Sequence, residues 1–89
     1  MSFVIVNLVI IMNLRIRDMR EDADLTQQQV AEYLMCDQSL YSKYERGERP
    51  VPLETIVKLA HLYKTSVDYL VGLTNKKHLI EEYEYLHIT

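Results

Sequence analysis

The stretch that most constrains this chain is Thr26–Gly47, TQQQVAEYLMCDQSLYSKYERG. Thr26-Gln27-Gln28-Gln29 has the form of a capping box, with a Thr N-cap and a Gln at N3 reaching back to it. Val30, Ala31 and Leu34 follow at the spacing of one buried helical stripe, and the small Ala31 lets a second helix come close. The pattern stops near Leu34 or Met35. Asp37 then offers a second N-cap for a helix from Gln38 to about Arg46, and Gly47 supplies the left-handed residue that ends it. At about 100° per residue, Tyr41 and Tyr44 point one way. Ser39, Ser42, Lys43 and Arg46 point the other. Glu45 falls on the flank of the buried side, so the outer stripe holds no acid.

The flanks read as helices that pack onto this pair. Residues 13–23 place Leu14, Ile16 and Met19 on one face and Arg15, Asp18, Glu21 and Asp22 on the other. Asn13 is the expected N-cap, and Arg20 sits near the end, where a cation suits the helix dipole. Asp24 and Leu25 form the connector, with Leu25 turned inward. After the loop Glu48–Val51, Pro52 fits the first position of a fourth helix, whose buried face is Leu53, Ile56, Leu59, Ala60 and Tyr63. Ser66 caps a short fifth helix, Val67–Val71, which ends at Gly72, and Val67 and Leu70 close the core. The expected fold is all-α, a compact five-helix domain over residues 13–72.

With 89 residues the chain holds one small domain that can bury a modest core without staples. A single cysteine, Cys36, excludes an intrachain disulfide and a zinc site built from Cys pairs. A reducing cytosol is the simplest compartment. The net charge of −3 counts mildly against a nucleic-acid binder, which usually carries a basic footprint. Local accounting softens this. Residues 14–77 carry all 10 basic residues and 10 of the 13 acids, and Glu81, Glu82 and Glu84 lie in the tail. The core region is therefore neutral, and what matters is whether its cations share a face.

The two ends stand apart. Residues 1–12, MSFVIVNLVIIM, are apolar at ten of twelve positions, yet a membrane-spanning helix needs about 20 apolar residues. No Lys or Arg precedes the run and no small-residue cleavage site follows it. Three readings stay open: a dimerising strand, an apolar extension of the first helix, or a mis-assigned start with Met12 as the initiator. In the acidic tail, 73–89, Leu79, Ile80, Tyr83 and Leu86 suit a helix, while EYEYLHI also alternates like a strand. Its acids make it a poor DNA contact and a candidate protein-interaction segment.

Two short helices joined by a tight turn, the second with a polar and partly basic outer face, form the helix-turn-helix pattern. Its second helix enters the DNA major groove. Five stretches in order sharpen the pattern: Ile16 and Met19 with Arg20; Leu25-Thr26-Gln27; Val30-Ala31; Tyr41-Ser42-Lys43-Tyr44-Glu45-Arg46-Gly47; and Val67-Asp68-Tyr69-Leu70 before Gly72. On these residues the run from Ile16 to Gly72, roughly two-thirds of the chain, resembles the lambda-repressor/Cro-like helix-turn-helix family. The resemblance implies base contacts from Gln38, Ser39, Leu40 and Lys43. It implies phosphate contacts around Thr26, Gln27, Ser42, Arg46 and Arg49. Gln pairs bidentately with adenine N6/N7, Lys suits guanine acceptors, and Leu40 suits a thymine methyl. Arg20 and Glu45 match a partly buried ion pair linking the first and third helices. Met35 and Lys64 depart from the family where it often has Gly, at a cost of roughly 1–2 kcal/mol for a non-Gly left-handed residue.

Plainer readings compete at several positions. Gln27, Gln28 and Gln29 are also good solvated helix formers, Arg49 is either a phosphate contact or simply exposed, and Tyr41 and Tyr44 read as core. His61, His78 and His87 lack metal-ligand spacing. Cys36 reads as a small buried apolar residue. With no nucleophile–base set and no Gly-rich phosphate loop, neither an enzyme nor a metal or other cofactor is expected. The leading expectation is a cytoplasmic transcriptional regulator of the repressor type, a homodimer on double-stranded DNA with no membrane role. Its rivals are an antitoxin gripping a toxin through a terminal segment, a non-DNA-binding interaction module, and a membrane-surface anchor in residues 3–12.

Overall fold

The computed structural model describes residues 14–77, and the expectations for 1–12, Asn13 and 78–89 lie outside that range. Five helices follow one another: α1 Ile16–Asp22, α2 Gln27–Leu34, α3 Gln38–Arg46, α4 Leu53–Tyr63 and α5 Val67–Leu70. No strand occurs among the described residues. The helices are short, so each depends on packing an apolar stripe rather than on its own propensity. Ile16 and Met19 from α1, Val30, Ala31 and Leu34 from α2, Tyr41 from α3, Ile56, Leu59 and Ala60 from α4, and Leu70 from α5 form one core. Leu25, Tyr44, Tyr63 and Val67 pack against its edge. Val51, read from sequence only as loop, is also fully buried in it.

The helix starts depend on local chemistry. At α2 both halves of the capping box form: the Gln29 N–H donates to Thr26 Oγ1 at 3.1 Å, and the Thr26 N–H donates to Gln29 Oε1 at 2.9 Å. Ser66 caps α5 by accepting from the Tyr69 N–H at 3.0 Å. Asp37 occupies the N-cap of α3, but its side chain makes no capping bond.

All five helices end alike. Asp24, Met35, Gly47, Lys64 and Gly72 have positive φ. In each case the next residue's N–H reaches back five positions: Leu25 to Arg20, Cys36 to Ala31, Glu48 to Lys43, Thr65 to Ala60, and Leu73 to Asp68. This closure satisfies carbonyls that the helix leaves orphaned. Only two of the five use glycine, at Gly47 and Gly72. Met35 and Lys64 take the strained conformation as anticipated, and Asp24 adds a third case, in a residue type that tolerates it better than most.

Four sequence expectations shift. Helix α1 begins at Ile16 with Arg15 as N-cap, two residues later than an Asn13 cap requires. The cause is that Arg15 is tied elsewhere: its N–H donates to the Leu70 carbonyl at 3.0 Å, and its guanidinium stacks on Tyr69 at 4.3 Å. Pro52 is the N-cap of α4, with extended ψ of 146°, rather than its first helical residue. Leu53, expected on the buried face, is 54% exposed. It sits about 60° around the helix from Ile56, in the first turn, at the edge of the packed stripe. Helix α5 stops at Leu70, with Val71 as its C-cap.

Residues 73–77 fold back onto the domain. The Arg15 guanidinium donates to the Thr74 carbonyl at 2.8 Å and to Asn75 Oδ1 at 2.9 Å. The Lys77 ammonium meets Asp22 at 2.7 Å, and the Thr65 hydroxyl donates to the Lys77 carbonyl.

Candidate nucleic-acid interface

Helix α3 is held by its inner face. Tyr41 is fully buried, and Tyr44 packs against the core edge. At its far end the Glu45 carboxylate is almost completely covered, with 3% side-chain exposure. A bare buried carboxylate is costly, and three donors offset that cost. Arg20 approaches in a fork, Nε to Oε2 at 2.6 Å and Nη2 to Oε1 at 3.1 Å. Its Nη1 binds the Leu25 carbonyl at 2.9 Å, joining the pair to the start of α2. The third donor is the Gln27 amide, Nε2 to Oε1 at 3.0 Å. Burial pushes the Glu45 carboxyl upward, but the hydrogen bonds led by Arg20 outweigh it and hold the group below the ordinary glutamate value. Arg20 is correspondingly raised by the same hydrogen bond.

Beside this network lie two buried hydroxyls, those of Tyr41 and Tyr63, without hydrogen-bond partners among the described residues. Burial, followed by the neighbouring carboxylate, pushes the Tyr63 hydroxyl up to about 12. Tyr41 is raised further for the same leading reason. Both remain neutral at any physiological pH, which fits core residues rather than base-stacking platforms.

The outer face of α3 has the opposite character. Gln27 from the first turn of α2 and Gln38, Ser39, Ser42, Lys43 and Arg46 from α3 line one open notch of ≈ 370 Å³. Six of the nine sequence-proposed contact residues therefore meet on one surface. Gln38 and Ser39 are exposed, and Lys43 is half-buried. Leu40 lies at the partly covered edge of α3, while Thr26 and Arg49 are exposed outside the notch. The Thr26 hydroxyl is committed to the capping box. Gln27 both borders the notch and binds Glu45, so its amide is oriented from behind.

Arg46 also has an intramolecular partner. Its Nε and Nη2 bind Glu48 Oε2 and Oε1 at 2.6 and 3.2 Å, and its Nη1 donates to the Ser42 hydroxyl. The Arg46 hydrogen bond holds the Glu48 carboxyl below its usual range. Sequence reading left Glu48 in a loop. The available signal was an acid directly after Gly47, where the left-handed turn folds the chain back over the last turn of α3.

Burial pushes the Cys36 thiol up, the reverse of what a reactive thiolate needs. No group of three His, Cys, Asp or Glu suited to a metal ion occurs among the described residues. No helix among them is long and apolar enough to cross a membrane.

Comparison with known proteins agrees with this architecture. A family model described as helix-turn-helix matches residues 16–70. The uncharacterized HTH-type transcriptional regulator YobD of Bacillus subtilis is 43% identical over 61 residues, 68% of this chain and 54% of that protein. The HTH-type transcriptional regulator ImmR of the same species is 40% identical over 58 residues, 65% of this chain and 46% of that protein. The cryptic phage CTXphi transcriptional repressor RstR of Vibrio cholerae is 39% identical over 58 residues, 65% of this chain and 52% of that protein. The chain thus spans about half the length of the curated relatives it matches. No solved structure gives a significant match. The chain belongs to the lambda-repressor/Cro-like helix-turn-helix family.

Proposed function

We propose that this chain is a sequence-specific DNA-binding transcriptional regulator, a repressor acting in the cytoplasm. The observation that carries the reading is the acid-free notch lined by Gln27, Gln38, Ser39, Ser42, Lys43 and Arg46. In this reading α3 lies in the major groove. Gln38, Ser39, Leu40 and Lys43 face base edges, where Gln pairs with adenine, Lys with guanine acceptors and Leu40 with a thymine methyl. Thr26, Gln27, Ser42, Arg46 and Arg49 flank them toward the phosphates, helped by the positive end of α2. The buried Arg20–Glu45 pair is structural, and it sets the angle between α1 and α3.

One small module offers limited contact area, so the working unit is a homodimer on a two-fold operator, its half-sites about one helical turn apart. Enrichment of random duplexes for binding tests the reading: a two-fold consensus is expected, and recovery of sequences no different from the starting pool overturns it. Binding that is negligible even at low salt would favour a protein-interaction module on the same fold.

A further inference from the structure

Arg46 stands at the last turn of α3, with its guanidinium fork closed on Glu48 and a third nitrogen on Ser42. The pair is open to solvent, with side-chain exposures of 50% and 53%. A carboxylate presents two oxygens to an arginine fork in the same planar, bidentate way as a phosphate. Glu48 therefore occupies, from within the chain, the position on Arg46 that a backbone phosphate would take. We infer that Glu48 is an intramolecular competitor for the DNA backbone, masking Arg46 until a phosphate displaces the carboxylate. The inference rests on the DNA-binding reading above.

The physical consequences are specific. Phosphate contacts supply sequence-independent affinity, while base contacts supply discrimination. Breaking the clasp by removing the Glu48 carboxylate tightens binding to every duplex alike and leaves the preference among sequences untouched. An exposed pair of this kind has modest strength, so the mask is displaceable rather than a lock. It lowers non-specific affinity in a chain whose core carries few spare cations.

The test is a double-mutant cycle with Glu48→Gln, Arg46→Ala and the combined variant, read by titration of a mixed-sequence duplex about two helical turns long across a salt series. Glu48→Gln is expected to tighten binding about two- to five-fold and to steepen the salt dependence by up to about 0.9 in log–log slope. In the Arg46→Ala background the same change should bring no gain. Glu54→Gln, which removes an exposed acid paired with Lys58 on α4, should also bring none. A gain that persists without Arg46 means simple charge repulsion and overturns the mask, as does no gain at all. A wild-type chain that binds no duplex at low salt overturns the DNA-binding reading and this inference together, so the two failures are distinguishable.

Discussion

Arg20–Glu45 and Arg46–Glu48 both close to 2.6 Å and both involve helix α3, yet their side-chain exposures are 13%/3% and 50%/53%. The first pair is buried beneath the helix, shares its carboxylate with Gln27, and ties α1, α2 and α3 together. The second lies on the solvent side, at the rim of the surface proposed to meet DNA. Bond length alone does not separate them. Burial does, because an ion taken out of water cannot lose its partner cheaply, whereas an exposed one is rehydrated at once. One helix thus carries a fixed pair that builds the scaffold and a replaceable pair suited to exchange with a ligand.

The largest expected effect breaks the buried pair. Arg20→Ala leaves the Glu45 carboxylate uncompensated and should lower stability by about 3–5 kcal/mol, measured by urea unfolding. Glu45 also has a depressed folded pKa. Its stabilisation is therefore present above the ordinary glutamate value and lost as pH falls through the folded one. The stability gap between wild type and Glu45→Gln should narrow on acidification below that ordinary value, and a gap constant down to the acid limit would contradict the assignment.

Next in size is Lys43→Ala, expected to cost about 1–3 kcal/mol on the preferred duplex and far less on random sequence. Met35→Gly should raise stability by about 0.5–1 kcal/mol, because Met35 is 89% exposed and its left-handed backbone is strained. Thermal unfolding would read that gain. Smallest is Arg46→Ala, whose stability should stay within about 0.5 kcal/mol of wild type; a loss as large as that of Arg20→Ala would erase the contrast between the pairs.

The scaffold was legible where local chemistry fixes it. The Thr26–Gln29 box, the stripe Val30-Ala31-Leu34, the bounds of α3 and the left-handed Gly47 all follow from side-chain type and spacing, whereas the left-handed Met35 and Lys64 came only through the family resemblance. What escaped depends on contacts distant in sequence. Arg15 leaves α1 because Leu70, Tyr69 and Thr74 claim it from more than fifty positions away. Leu53 has the spacing of a core residue, but at the first position of α4 it lies at the edge of the packed stripe and is exposed, while Ile56 in the same turn is buried. Val51 is buried for a reason that no periodicity encodes, since it belongs to no helix. On the site side, periodicity placed Ser39, Ser42, Lys43 and Arg46 on one stripe. The approach of Gln27 needed the packing of α2 on α3, and the Glu48 clasp needed the turn at Gly47.

The proposed role of the outer stripe of α3 is to read DNA sequence. It is tested most directly by titrating wild type and Lys43→Ala against the duplex enriched from a random pool and against the unenriched pool, at one fixed salt concentration. The ratio of the two affinities is expected to collapse in Lys43→Ala while binding to the random pool is nearly retained. An unchanged ratio, with both affinities falling together, would contradict it.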